Sequence, residues 1–401
     1  MGKEASKAAP QRTEEQERLG LKLSSHRAVF HDVAEVEGKL AGQRRRFVAD
    51  ATTEGSGASE ADADGVVRFQ PPRTPRWRNL LSVALVFPLQ SMQLGFGLFG
   101  GAWYFVPALR MPLLGYLAYM FLDASPARGG WRSWPGFGAL RMWLRDLSIW
   151  KWAASYYPTE LVKTADLDPA KSYVFGYHPH GLIGAGACAT FGCNAVGFDT
   201  LYRGVDVTLM TLNMTFWVPF FRDWILAHGI GSCNRATCLD LLRGGRSIAL
   251  VIGGAKEALD ARPGVLRCYI RRRQGFVRVA VETGAGLVPA LGIGENDLFH
   301  QLPNPRGSIV RRLQDTLQAF MKFSMPVCYG RTLPPFLLPT VPLRRKITVV
   351  VGAPIFPPAP EAREGLSDDE VVEKLHTEYM AAMELLYKKH APAGGPPLEL
   401  V

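Results

Sequence analysis

Two histidines separated by one residue stand directly after a short apolar run. The run is Ser172–Tyr177, and His178, Pro179, His180 and Gly181 follow it. An imidazole with a pKa near 6.5 can take a proton from an alcohol at neutral pH, as acyl transfer to a hydroxyl requires. Pro179 stiffens the loop, and Gly181 allows close approach of the main chain to a substrate. A hydrogen-bonded structural pair and half of a metal site are the competing interpretations.

A carboxylate occupies the matching place after a second apolar run. Ser247–Ile252 is typical of a buried strand, and Gly253, Gly254 and then Glu257 follow it. If the two strands are parallel, both loops lie at one edge of the sheet, and Glu257 can act on the histidine loop. A solvated loop carboxylate is the alternative. Main-chain amides beside the glycines of either loop can stabilise an oxyanion, and the chain has no G-x-S-x-G nucleophile motif.

Further elements must position these loops. Two more apolar runs predict strands, and three stretches predict helices: one capped by Asn234, one over Gly275–Thr283, and one starting at the capping box of Ser367. The strand runs are Leu287–Leu291 and Ile347–Val351. Alternation of strands and helices beyond about residue 150 predicts an α/β fold.

The N-terminal third of the chain has a different composition. Residues 1–78 are polar and rich in small residues, which predicts a disordered tail. Residues 79–122 carry a single charge, Arg110, and are too long for one straight span, so we expect a membrane hairpin turning near Gly100–Gly101 or Pro107–Pro112. Basic residues on both flanks place both ends in the cytosol. Arg110 leaves open whether the second leg spans or re-enters, and residues 123–401 form the expected catalytic domain.

Composition limits the function classes. The formal charge is +10, from 46 Lys and Arg against 36 Asp and Glu, which suits nucleic acid, anionic headgroups or phosphorylated substrates. Nucleic acid is excluded because no recognition motif accompanies the charge. The six cysteines include no C-x-x-C pair, which argues against a disulfide scaffold and structural zinc. The charged N-terminus predicts no secretory signal.

Beyond these motifs, the chain resembles the diacylglycerol acyltransferase type 2 family over about residues 77–390. The resemblance rests on ordered blocks: YYP at Tyr156–Pro158, YHPHG at Tyr177–Gly181, VIGGAKEAL at Val251–Leu259, the long RQGF block at Arg273–Phe299, and VVGAPI at Val350–Ile355. Tyr157 stands where the family has Phe. Related glycerol-phosphate acyltransferases place an Asp four residues after their histidine, where this chain has Gly184.

The resemblance implies a glycerolipid-acyltransferase-like mixed sheet with flanking helices and a direct transfer from acyl-CoA to the hydroxyl of diacylglycerol. It implies His180 as general base, His178 as a positioning group and Glu257 as the carboxylate partner, with Glu295 weaker. The implied substrate-binding set is Tyr156, Tyr157, Pro158, Pro179, Gly181, Gly253, Gly254, Arg235, Arg273 and Glu295. Arg235 and Arg271–Arg273 suit the phosphates of coenzyme A, although such a run is also typical of a solvated surface.

Acyl-CoA is then a co-substrate, and neither a cofactor nor a metal is expected. The expected partners are acyl-CoA, diacylglycerol and the bilayer, in the endoplasmic reticulum with a cytosol-facing site, and on lipid droplets. Monoacylglycerol or a long-chain alcohol can replace diacylglycerol as acceptor, and the sequence leaves acyl-chain preference and homo-oligomer formation open. A non-enzymatic lipid-droplet or lipid-transfer protein has no need of the HPHG, GGAxE and RxGF blocks together.

Overall fold

The computed structural model describes residues 66–401 except residues 90, 322–323, 325 and 334–335. The predicted tail up to residue 65 lies outside the described residues. The strands are β1 Val67–Phe69, β2 Glu160–Lys163, β3 Tyr173–His178, β4 Val207–Thr211, β5 Gly231–Ser232, β6 Ser247–Val251, β7 Leu266–Cys268, β8 Gly286–Ile293, β9 His300–Gln301, β10 Cys328–Tyr329, β11 Arg331–Leu333, β12 Phe336–Val341, β13 Thr348–Val351 and β14 Leu398–Leu400.

The α-helices pack on both faces of the main sheet. They are α1 Arg76–Leu89, α2 Met92–Phe105, α3 Arg110–Leu122, α4 Ser125–Arg128, α5 Phe137–Arg145, α6 Ser148–Tyr156, α7 Ala185–Ala187, α8 Phe198–Leu201, α9 Phe221–Ala227, α10 Arg235–Arg243, α11 Gly254–Ala258, α12 Gly275–Thr283, α13 Ile309–Met321 and α14 Asp368–His390.

The main sheet is mixed and has the strand order β1-β2-β13-β8-β3-β6-β4-β5. Strand β3 lies at its centre, parallel to both β6 and β8, and β13 is antiparallel to β8. All six residues of β3 are buried, because helices cover both faces of the strand. The predicted α/β class, the mixed sheet and all four predicted strands are confirmed.

Two apolar cores lie on the two faces of the sheet. One packs α10, α12 and α14 against the strands, and Val277, Leu287 and Tyr379 are fully buried in it. The other is aromatic and includes Phe175 and Phe191. Helix α14 begins with the predicted capping box, in which Ser367 and Glu370 bond each other's main-chain N–H groups. The helix predicted after Asn234 is α10, although the Asn234 side chain makes no capping bond.

The end of the predicted tail belongs to the folded body. Residues Val67–Phe69 pair antiparallel with β2 as strand β1. Arg68 on this strand forms an ion pair with buried Glu160 at 3.2 Å, and Val66 is buried. The tail predicted for residues 1–78 therefore includes residues of the folded body, because a short strand precedes the long apolar run.

The long apolar run forms three helices, α1, α2 and α3. Gly100–Gly101 lie inside α2, so the chain does not turn there, whereas a break does follow α2 near Pro107. The charge of Arg110 is partnered, since its Nε donates to the carbonyl of Trp103 at 3.1 Å. Several apolar side chains on these helices face outward. They include Phe105, Met111, Phe121 and Leu122, which are 71–85% exposed.

None of the helices in the described part of the chain is by itself both long and apolar enough to cross a bilayer. Helices α1 and α2, bent by 66° at their junction, reach the required length and apolar character only as a pair. The membrane hairpin over residues 79–122 therefore stays a prediction.

Candidate active site

The histidine loop starts where the central strand β3 ends. Its neighbour β6 ends at the same edge of the sheet and leads through Gly253 into α11, which carries Glu257. The predicted parallel pairing thus brings the HPHG loop and the GGAKE block together. Both Pro179 and Gly181 are buried within this loop. Gly181 has a φ of +59°, a conformation that a residue with a side chain rarely adopts.

His180 is half-buried and borders a large open cavity. Its Nδ1 lies 2.9 Å from the main-chain carbonyl of Gly181, an acceptor that carries no hydrogen. The neutral ring must therefore carry its proton on Nδ1, which leaves the lone pair of Nε2 free to accept a proton. Burial lowers the pKa of His180 below 6.5, so the ring is neutral at physiological pH.

Glu257 holds the main chain of this loop. Its buried carboxylate accepts hydrogen bonds from the main-chain N–H of His180 and, at 2.9 Å, from that of Tyr269. The carboxylate lies so close to Gly253 that a Cβ there would come within 1.8 Å of it, which explains the need for glycine. Burial raises the pKa of Glu257 to about 7. The predicted proximity is confirmed, and the contact is with the main chain of His180.

Glu295 holds the same loop from its other side. This buried carboxylate accepts hydrogen bonds from the hydroxyl of Tyr177 at 2.7 Å and from the main-chain N–H groups of Ala185 and Gly186 at 2.7 and 2.8 Å. Burial raises its pKa to about 6. Glu295 therefore fixes the turn between β3 and α7, and two carboxylates together clamp the segment that carries His180.

His178 points away from the cavity. It is fully buried, and its Nε2 lies 3.2 Å from the hydroxyl of Tyr379 on α14. That hydroxyl donates its hydrogen to the carbonyl of Gly176, so His178 must be the donor to Tyr379. Burial, with a smaller effect of His376, lowers the pKa of His178 to about 3. This geometry fits the predicted positioning role rather than proton transfer to a substrate.

The cavity has a volume of about 2090 Å³ and two chemically different parts. Its cationic part is lined by Lys256, Arg271, Arg272, Arg273, Arg306 and Arg311. Its apolar part is lined by Phe87, Trp150, Ile183, Leu209, Trp224 and Ile225. His180 lines the same cavity. Glu257 links the main chain of His180 to that of Tyr269, which lines the cavity with the cationic residues, and Ile183 on the same loop is one of the apolar lining residues.

The two arginines predicted to bind substrate, Arg235 and Arg273, both line this cavity. Arg273 is exposed and lies near Gly254, whose added Cβ would be 3.9 Å from its Nη2. Arg235 is also exposed at the cavity wall, but its guanidinium forms an ion pair with Glu282. Arg273 is therefore the better placed of the two for an anionic ligand.

The YYP segment lies to one side of the main cavity. Tyr156 is buried and donates to the carbonyl of Pro342 at 2.8 Å, which is a packing role. Tyr157 borders a small apolar cavity of about 40 Å³, which shares Ile183 with the main cavity, and Pro158 is exposed. Of these three predicted substrate-binding residues, only Tyr157 lines a cavity.

Several residues of the site were missed from the sequence. Tyr269 and Tyr379 support the loop through main-chain and hydroxyl contacts, and Arg306 and Arg311 extend the cationic wall. The capping box of α14 predicted the helix that carries Tyr379, but no local signal places that helix beneath β3. Among the described residues, no group of three or more His, Cys, Asp or Glu side chains is arranged to hold a metal ion.

Comparison with known proteins shows the family to which the chain is related. The diacylglycerol acyltransferase family model matches residues 102–397. Diacylglycerol O-acyltransferase 2A of Umbelopsis ramanniana is 38% identical over 327 residues, 80% of this chain and 89% of that protein. Diacylglycerol O-acyltransferase 2 of Dictyostelium discoideum is 35% identical, over 81% and 96%. The Homo sapiens 2-acylglycerol O-acyltransferase 1 is 37% identical, over 70% and 82%.

One solved structure also overlaps the chain, the 1-acyl-sn-glycerophosphate acyltransferase of Thermotoga maritima. Its TM-score is 0.36 at 12% identity, over 79% of this chain and 99% of that one, which is too distant to support a conclusion. The family match and the sequence relatives make this chain an acyltransferase enzyme. It belongs to the diacylglycerol acyltransferase family.

Proposed function

We propose that this chain transfers a fatty acyl group from acyl-CoA to the free hydroxyl of diacylglycerol and so makes triacylglycerol. The observation that carries this proposal is that His180, with Nε2 free, borders one cavity lined by both cationic and apolar side chains. Acyl-CoA combines a phosphorylated head with an apolar chain, and the thioester lies between them. Two relatives named diacylglycerol O-acyltransferase support the choice of acceptor.

In this mechanism, Nε2 of His180 removes the proton of the acceptor hydroxyl as its oxygen attacks the thioester carbonyl carbon. The tetrahedral adduct then collapses, the C–S bond breaks, and the proton passes from the imidazolium to the sulfur of coenzyme A. The bond from Nδ1 to the carbonyl of Gly181 keeps the ring in the required tautomer throughout. The protein thus contributes proton transfer by His180 and the fixed orientation of its ring by the carbonyl of Gly181.

The developing oxyanion needs hydrogen-bond donors. In the described part of the chain, the main-chain N–H groups of Gly181 and Leu182 donate to no protein acceptor. These groups stand in the turn that Glu257 and Glu295 clamp, so their positions are fixed before the substrate binds. We assign them as the oxyanion donors, which is the kind of preorganised dipole that acyl transfer uses.

The cationic wall provides the binding site for the phosphates of coenzyme A. Arg273 is exposed there and close to the glycines of the β6–α11 turn, and guanidinium groups bind phosphate oxygens in pairs. The fatty acyl chain then occupies the apolar part beside Ile183 and Trp150. In this proposal acyl-CoA is a co-substrate, and the reaction uses no cofactor.

A 2-acylglycerol is the second candidate acceptor, because the Homo sapiens relative at 37% identity is named a 2-acylglycerol O-acyltransferase. A long-chain alcohol is the third, since the hydroxyl chemistry is the same. Purified protein in phospholipid nanodiscs, given labelled oleoyl-CoA and each acceptor in turn, distinguishes them. We expect labelled triacylglycerol as the main product, and preferential acylation of monoacylglycerol or alcohol would contradict the assignment.

The proposed location is the endoplasmic reticulum membrane, with the site facing the cytosol, and the lipid droplet. Outward-facing apolar side chains on α1, α2 and α3 and the basic residues flanking residues 79–122 support membrane insertion as a hairpin. When the protein carries a tag at Met1 or at Val401 and is inserted in sealed microsomes, added protease should then digest both tags. Protection of one tag only would establish an odd number of spans and exclude the hairpin.

A further inference from the structure

Helix α13 presents its apolar side to the outside of the protein. Ile309 is 84% exposed, Leu313 is 60% exposed, and Val310 is 40% exposed. These residues recur at spacings of three and four, so they share one side of the helix. The ordinary surface helix of a soluble domain buries such a side against its core. An exposed apolar side on a helix of 13 residues therefore needs another explanation.

The opposite side of α13 is polar and is the side that packs against the protein. Arg311 is buried in ion pairs with Asp260 and, at 2.9 Å, with Asp315. Gln314 is buried and accepts from the Asn304 side chain at 2.8 Å. The helix is thus held in place by hydrogen bonds and ion pairs. Its amphipathic pattern is inverted with respect to the protein core, and its orientation is fixed.

Neighbouring residues extend the apolar surface. The segments just before and after the helix leave Leu302, Val327 and Tyr329 exposed, at 43–49%. These segments adjoin each other, because the main-chain N–H of Leu302 donates to the carbonyl of Val327 at 2.9 Å. The six apolar residues together are named here the α13 patch: Leu302, Ile309, Val310, Leu313, Val327 and Tyr329.

The charges around the α13 patch are positive. Arg312 is exposed on the same helix as the apolar residues. Arg306, in the loop before the helix, is also exposed, and its guanidinium donates to the hydroxyl of Tyr269 at 3.0 Å at the edge of the cavity. The acid of the helix, Asp315, is already paired with Arg311. Phosphate-bearing lipid headgroups complement this arrangement, because apolar side chains can enter the acyl boundary while arginines remain at the level of the phosphates.

We propose that α13 lies in the plane of a phospholipid bilayer surface and that the α13 patch is a membrane contact separate from the predicted hairpin. A second copy of the chain fits this surface poorly. A stable protein interface needs about 20–30 residues on each side, whereas the patch has six apolar residues, on one helix and on the segments just before and after it. Interfacial helices of this type bury their apolar side about 5–10 Å into the headgroup and acyl boundary.

Helix α13 also forms part of the cavity wall. Arg311 and Gln318, on the inner side of α13, line the cationic part of the cavity, while the outer side faces lipid. One helix would therefore separate the cavity from the bilayer surface. The opening of the cavity would lie at the level of the lipid headgroups.

The test places an environment-sensitive fluorescent amino acid at position 313 of the full-length protein in phosphatidylcholine vesicles containing phosphatidylinositol. The matched control carries it at Leu385, a leucine that is 67% exposed on α14 among Glu384, Lys388 and other polar residues. Doxyl-labelled phosphatidylcholine reports lipid contact as quenching. Because both positions are exposed, the label should leave the melting temperature unchanged, and the result does not depend on the proposed acyl acceptor.

We expect a blue shift and strong quenching at position 313 by shallow doxyl groups, with neither at position 385. Leu313→Glu should abolish the quenching of a label at position 309, and Leu385→Glu should leave it intact. A blue shift at 313 without lipid quenching would mean that protein covers the patch, and would overturn the proposal. Equal, solvent-like spectra at 313 and 385, or quenching only on triolein droplets, would overturn it as well.

Discussion

The carboxylate of Glu257 bonds the main-chain N–H of His180 and makes no hydrogen bond to its imidazole. Its second oxygen accepts from the main-chain N–H of Tyr269 at 2.9 Å. Glu257 therefore joins the histidine loop to the segment that leads into the cationic wall. We therefore propose that Glu257 positions His180, and its substitution should affect the geometry of the proposed base more than its proton affinity.

Glu257→Gln tests this role. The amide oxygen can still accept one of the two bonds, but its NH₂ group would face an N–H donor. We expect kcat to fall by about tenfold, or ~1.4 kcal/mol, near the lower end for a lost hydrogen bond to a charged group. The shape of the pH profile should not change. The double variant with His180→Ala should be little worse than His180→Ala alone, and additive losses would show that the two residues act independently.

The raised pKa of Glu257, about 7 against 4.5 for a free carboxyl, also predicts a pH dependence of stability. Between these values the folded chain binds the proton more tightly than the unfolded chain, so the stability that this group contributes falls as pH rises from about 4.5 to 7. Melting temperatures in detergent should show the wild type losing its advantage over Glu257→Gln across that window. A growing advantage would mean that folding lowers this pKa.

Tyr379→Phe tests the proposal that His178 positions the loop while His180 transfers the proton. The change leaves the carbonyl of Gly176 without its donor and Nε2 of His178 without its acceptor, both fully buried. An unsatisfied buried polar group costs about 1–3 kcal/mol, so we expect a lower melting temperature. The pH profile of kcat should stay in place, because His178 does not face the cavity. A displaced profile would instead assign proton transfer to His178.

Chelation addresses the metal hypothesis for the histidine pair. Because His178 bonds Tyr379 while His180 borders the cavity, the two rings do not converge on one ligand position. Activity of the purified enzyme should survive EDTA. Loss on chelation and recovery with added metal would make the imidazoles ligands and remove the proton-transfer mechanism.

The sequence predicted the centre of the fold well because that centre is made of local signals. The apolar runs of β3 and β6 end in the HPHG and GGAKE blocks, and parallel pairing of two central strands is enough to bring His180 and Glu257 to one edge. The capping box of Ser367 likewise marks the start of α14 through contacts within four residues. Such features need no knowledge of the rest of the chain.

Other features depend on packing between distant segments. Tyr379 lies 203 residues from Gly176 along the chain, yet the two are in direct contact. Which of the two histidines faces the cavity likewise depends on the course of the loop after β3. The exposed apolar side of α13 is not predictable from its period, because periodicity shows that a helix is amphipathic without showing which side faces the protein.

The most direct test of the proposed mechanism is single-turnover acyl transfer by His180→Ala in nanodiscs, with His300→Ala as the matched control outside the cavity. A general base contributes about 10²–10⁴-fold, so the His180→Ala rate constant should fall at least about a hundredfold while acyl-CoA binding and the melting temperature persist. His300→Ala should react like the wild type. A folded His180→Ala enzyme with a near-wild-type rate constant would contradict the account and exclude this imidazole as the base.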